Sequence, residues 1–138
     1  QRLDLYKRIA LIDSEEGRDE MLDELIDRFG EPSRSVQNLL FIAMLRMEAH
    51  KAFVTDIVQR PEEIVFTLFE RAAIDASGIP AVIEKNKPYV TFTADAKHPA
   101  FHYFYKKNSR IKPKDLPDLV MTFVKEVQGL ALNQKSEN

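Results

Sequence analysis

The chain has no cysteine and no tryptophan, and only four glycines and three histidines among 138 residues. Without cysteine, disulfides and thiolate metal sites are excluded, and a reducing cytoplasm is the expected compartment. Gly17, Gly30, Gly78 and Gly129 lie too far apart to converge their N–H groups on a phosphate, which excludes a nucleotide-hydrolysing loop. His50, His98 and His102 belong to no nucleophile motif. His98 and His102 have the spacing of two ligands on one helical face, but Pro99 and the surrounding aromatic alternation assign them to loop and strand, so no metal site is expected. No apolar run approaches the ~20 residues needed to span a bilayer, and no basic, apolar leader opens the chain. A helical pattern begins at once after Gln1, as expected of a piece of a longer polypeptide.

The chain does carry 44% hydrophobic and 30% charged residues at a net charge of −2. That is one domain's worth of material, able to bury a single core. Charge is unevenly spread. Residues 1–50 hold eleven acids against seven bases, whereas from Lys85 to Lys114 eight cations face Asp95 alone.

Leu5, Ile9 and Ile12 recur at helical spacing, and Asp13 or Ser14 offers a cap for a second helix whose first turn carries Glu15 and Glu16. On that helix Met21, Leu22, Leu25, Ile26 and Phe29 predict an apolar stripe, with Glu20, Glu24, Asp27 and Arg28 toward the other side. Gly30 stops it by adopting a left-handed conformation, Pro32 cannot extend it, and Ser33 can cap the next. The third helix, about Arg34 to Lys51, is apolar nearly all round and is expected to be central, each buried side chain contributing ~1.5 to 3 kcal/mol. Phe53–Val58 and Ile64–Phe69 predict an antiparallel strand pair. A short helix from Ala76 to Lys85 with Pro80 in its first turn, strands over Tyr89–Ala94 and Ala100–Lys106, and a last helix capped near Asp115 follow. Helices, then strands, then a helix is an α+β order. The expected division is one domain over 1–132, helical over about 1–51, strand-rich over about 52–107 and helical again over about 115–131, with a disordered polar tail at 133–138.

The run LDELIDRFGEPSRSVQNLL from Leu22 to Leu40, preceded by Leu5–Ala10 and followed by Ala43–Ala49, resembles the C-terminal domain of the bacterial transcription-repair coupling factors, the Mfd family. The resemblance is close over the first fifty residues. After Lys51 it follows only the order of the apolar runs.

The resemblance implies a parent that is an ATP-driven DNA translocase, using ATP and magnesium, which displaces RNA polymerase stalled at lesions and recruits excision repair. This chain lacks that motor and would be its regulatory C-terminal domain, without catalytic, cofactor or metal residues. In the family, such a domain folds back on a UvrB-like module and masks the surface that UvrA must reach. On the matching residues, Glu24, with Asp27, Arg28 and Glu31 around it, is the expected partner-binding set, making charge-assisted contacts to an arginine-bearing surface. Phe29 and Gly30 are assigned to folding. Asp27 and Arg28 have a second reading, local capping and bracing of the hinge.

A different class of function rests on the segment 85–114. Lys106, Lys107, Arg110, Lys112 and Lys114 adjoin Tyr103, Phe104 and Tyr105, combining phosphate-seeking charge with stacking surfaces, as in a non-catalytic nucleic-acid-binding module; since the core needs those aromatics and the chain as a whole is slightly acidic, a solvated loop leading into the last helix is the expected reading, without nucleic-acid binding. A helix-turn-helix over 15–51 fits less well, since its second helix has little exposed polar face for base edges. The acids of the second helix lie on a solvated face, without the burial that general acid–base chemistry requires.

Overall fold

The computed structural model describes residues 2–132, apart from the side chains of residues 2–4 and 6. The expected disorder of 133–138 lies outside the described residues. The chain gathers into two compact units, Gln1–Met47 and Glu48–Asn138.

In the first unit, α1 spans Arg2–Ala10, α2 Glu15–Phe29 and α3 begins at Arg34, running to Lys51. Ser14, in extended backbone, is the α2 cap: its Oγ accepts from the Gly17 N–H at 2.9 Å. Ser33 does the same for α3, accepting from the Val36 N–H at 3.3 Å. Gly30 closes α2 at φ 77°, ψ −153°, its N–H donating to the Ile26 carbonyl at 2.9 Å. The positive φ is as expected, but the ψ lies outside the left-handed helical well, in a region essentially reserved for glycine. Arg46 of α3 donates from Nη2 to the Ala10 carbonyl at 2.6 Å, placing a cation on the C-terminal end of α1, where the helix dipole favours it. Ile9, Ile12, Met21, Leu25, Leu40 and Ala43 form the core, with Leu5, Leu22 and Val36 packed against it.

Two expectations fail here. Of the α2 stripe, only Met21 and Leu25 are buried, while Ile26 and Phe29 are 43% and 64% exposed. Nor is α3 enclosed on all sides, for Leu39 and Ile42 are 37% and 54% exposed. Buried residues are mostly apolar, but the rule runs one way only, and a helix can bury one stripe while apolar residues remain outside it.

In the second unit, β1 (Val54–Gln59), β2 (Ile64–Leu68), β3 (Val90–Thr93) and β4 (Ala100–Tyr103) form an antiparallel sheet in the order β1-β2-β4-β3. Alternation puts Ile64, Phe66 and Leu68 on the face that also holds Val90, Phe92, Phe101 and Tyr103. Helix α5 (Leu116–Gln128) packs there through Val120, Phe123, Val124 and Val127. The Phe123 ring lies 4.8 Å from Phe66, 5.5 Å from Phe101 and 5.6 Å from Tyr103. Glu48, the buried acid in the last turn of α3, accepts from Gln128 Nε2 at its carbonyl (2.9 Å) and its Oε1 (2.6 Å). The short helix α4 (Ile79–Lys85) follows a 3₁₀ turn, Ala76–Gly78, capped by Asp75. A Cβ on Gly78 would stand 2.6 Å from Leu130 Cδ2, so any larger residue there requires that leucine's tip to shift.

Strand boundaries shift by a residue at several ends, and at three places an aromatic residue leaves its expected strand. Phe53 sits at φ 60° in the turn between α3 and β1 instead of starting the strand. Phe69 lies beyond β2 and is exposed. The aromatic run leaves the sheet after Tyr103 and turns into a 3₁₀ segment, Tyr105–Lys107, because Tyr105 Oη donates to the Arg60 carbonyl at 2.6 Å and folds under the β1–β2 turn.

Phe123→Ala is expected to lower the unfolding free energy by ~3 to 5 kcal/mol in urea titration, since three rings lose their common neighbour. Gly30→Ala should cost ~1 to 3 kcal/mol by the same measurement, although no atom stands within 4 Å of the added carbon, because the penalty is conformational alone.

Candidate functional site

Between α1 and the C-terminal half of α2 lies an open groove of about 700 Å³. Leu5, Leu11, Leu25 and Phe29 supply its apolar lining, and Lys7, Arg8, Glu24 and Arg28 its charge. Leu11 ends in solvent, 79% exposed, just past the last turn of α1. Large apolar side chains left in water beside a ring of charges make this groove the candidate site.

Glu24 is the electrostatic centre of this groove. Arg8 reaches across from α1 and forks onto it, Nη1 to Oε2 at 2.6 Å and Nη2 to Oε1 at 2.7 Å. Arg28, one turn along α2, approaches Oε2 at 3.6 Å. Hydrogen bonding to Arg8 holds the Glu24 carboxyl below its ordinary range, with the charges of Arg8 and Arg28 adding to the effect against partial desolvation. The same hydrogen bond raises Arg8. With both side chains more than a third exposed, the fork positions more than it stabilises.

Of the four residues expected to bind a partner, Glu24 and Arg28 therefore stand together in one cluster. Asp27 is exposed on α2 and Glu31 is exposed in the turn after Gly30, neither in an ion pair among the described residues. Sequence reasoning missed Arg8, sixteen residues away and on another helix, where no spacing rule reaches. It also placed Phe29 in the fold, whereas the ring lines the groove.

Elsewhere, His102 uses both ring nitrogens: Nδ1 meets Glu63 Oε1 at 2.6 Å and Nε2 meets Thr93 Oγ1 at 2.9 Å, tying three strand segments across the sheet. His98 lies instead in the turn held by Asp95, whose carboxylate accepts from the N–H groups of Lys97 and His98 and is thereby lowered from its usual range. In the basic segment Lys85 pairs with Glu126 at 3.2 Å and Lys87 with Glu84 at 3.9 Å.

Residues 1–79, more than half of the chain and all of the groove, match the family described as the TRCF domain. The chain belongs to that family. A TRCF domain is a small domain, not itself catalytic. Over 78 residues the chain is 32% identical to the transcription-repair-coupling factor of Bacillus subtilis (strain 168), an alignment covering 56% of this chain and 7% of that protein. The chain thus spans a small fraction of its curated relative. The fold resembles the crystal structure of the C-terminal domain of a transcription-repair coupling factor, with a TM-score of 0.71 at 22% identity, covering 94% of this chain and 83% of that one. No helix among the described residues is long and apolar enough to cross a membrane.

Because the folded-state value of Glu24 is depressed, the fork is present above the ordinary glutamate value near 4.5 and is lost as pH falls through the lower folded value. In Arg8→Gln the Glu24 titration midpoint, followed by NMR at its side-chain carboxyl carbon, should rise toward that ordinary value. An unmoved midpoint would show that Arg8 does not hold the carboxylate.

Proposed function

We propose that this chain is the regulatory C-terminal domain of a transcription-repair coupling factor. Its parent is then an ATP-dependent DNA translocase that displaces RNA polymerase stalled at lesions and recruits excision repair, with ATP and magnesium in the motor. The domain acts by occlusion: the groove between α1 and α2 docks on the UvrB-like module of the same parent and covers the surface that UvrA requires.

Membership of the TRCF family supports the setting. The single observation that carries the surface is a carboxylate, Glu24, fixed at the edge of an apolar groove from which Leu11 and Phe29 project. Each Glu24 oxygen spends one lone pair on Arg8 and keeps another, so an incoming arginine can join without displacing the fork. Phe29 adds apolar area at the same place. Asp27 and Glu31 extend the acidic rim along α2 and its terminal turn. A tethered domain needs only a modest interface, because its effective concentration near the target reaches the millimolar range. Release then requires a few kcal/mol of competing contact, within reach of polymerase engagement.

Reversing Glu24 to Lys in the full-length parent should raise UvrA association by about tenfold or more, since a hydrogen bond to a charged group contributes ~1.5 to 3 kcal/mol. Phe29→Ala should act in the same direction through lost area, while leaving the Arg8–Glu24 fork intact. Pull-down titration of UvrA against the three parents reads this directly. Equal association in all of them would remove the groove from the interface.

A further inference from the structure

Five cations, Lys106, Lys107, Arg110, Lys112 and Lys114, occupy nine consecutive residues of the β4–α5 connection. All five are exposed, and none forms an ion pair among the described residues. A run of lysines on a loose loop would mean little, but this loop is held. Tyr105 is buried, with its hydroxyl on the Arg60 and Pro61 carbonyls at 2.6 and 3.3 Å. Asn108 Oδ1 accepts from the Arg110 N–H at 3.0 Å, the Ile111 N–H donates to the Asn108 carbonyl at 3.1 Å, and Asp115 accepts from the Lys112 N–H at 2.9 Å. Like charges are therefore kept side by side by the fold, without neutralisation.

Beneath them is a depression of about 280 Å³, lined by Lys106, Lys112, Asn108, Ser109 and Gln59 among others. Its amide and hydroxyl groups are of the kind that join lysine and arginine on phosphate oxygens. We infer that this loop binds the phosphate backbone of double-stranded nucleic acid, independently of sequence.

The rings decide for a duplex over a single strand. Single-strand binding relies on free aromatic faces. Here Phe104 is covered by Lys107 Nζ at 4.9 Å from its centroid and flanked by His102 at 6.3 Å. Tyr103 packs edge-on against Phe123 and stacks with Tyr89. The stacking surface read from the sequence is already occupied, and what remains is charge and hydrogen-bond donors.

The chain of residues 1–138 is titrated by fluorescence anisotropy against a short labelled DNA duplex, the corresponding single strand, and labelled poly-glutamate. Salt is varied between about 50 and 200 mM. Three phosphates neutralised by Lys106, Arg110 and Lys112 correspond to a slope of log K against log salt of about −2.7 and an affinity loss of about fortyfold across that range. The triple variant K106Q/R110Q/K112Q should lose duplex binding while melting at an unchanged temperature. Arg34→Gln, in the other unit and outside the groove, should retain it. The proposal is overturned by absent duplex binding at the lowest salt, by equal or tighter binding of the single strand, by poly-glutamate binding as tight as duplex, or by equal losses in Arg34→Gln and the triple variant.

Discussion

One ring organises the sheet unit. Phe123 touches Phe66, Phe101 and Tyr103, and through them α5 is seated on β2 and β4 at once. Burial of such side chains supplies most of the favourable free energy available to a domain of this size. It also sets the two ends of the β4–α5 connection, since one end leaves the sheet at Tyr103 and the other enters α5 at Leu116. Where the basic loop stands is thus a consequence of core packing, and its own hydrogen bonds only refine the shape.

The helical unit works with less. Its core is a handful of aliphatic side chains, and much apolar surface at Leu11, Ile26, Phe29, Leu39 and Ile42 is left in water. Charge is arranged beside that surface. The Arg8–Glu24 fork keeps a carboxylate pointing in one direction at the lip of the groove, at little net gain in stability because both groups remain wet. The proposed docking role would call for such a compromise between area and polarity. Glu48 shows the contrary case: a carboxylate drawn out of water, satisfied by Gln128 at 2.6 Å and Lys51 at 3.6 Å, whose service is to hold α3's last turn against α5.

Much of this architecture was legible in the residues. The α2 and α3 boundaries followed from Ser14, Gly30, Pro32 and Ser33, whose effects are local and need no knowledge of the rest of the chain. The β1–β2 pair and the start of α5 followed from alternation and from Asp115. Tertiary choices were not legible. Phe29 and Ile42 continue helical apolar patterns, yet whether a neighbour covers them depends on helix placement, which periodicity does not encode. Tyr105 alternates like a strand residue, but a hydroxyl bond to the β1–β2 turn draws it out of the sheet. Of the groove, Glu24 and Arg28 were visible as a charged helix face, while Arg8 and the apolar lining appear only once α1 lies against α2.

Gly78 sets the terms for one route to a sturdier chain. Replacing a glycine by alanine at compatible backbone angles ordinarily stabilises by ~0.4 to 1 kcal/mol, because the unfolded chain has less freedom to lose. At this turn the new methyl would stand 2.6 Å from Cδ2 of Leu130, the far end of a flexible side chain. Crowding here is a matter of one leucine rotamer, so alanine at the Asp75–Gly78 turn strengthens or weakens the chain according to where that terminal methyl can swing.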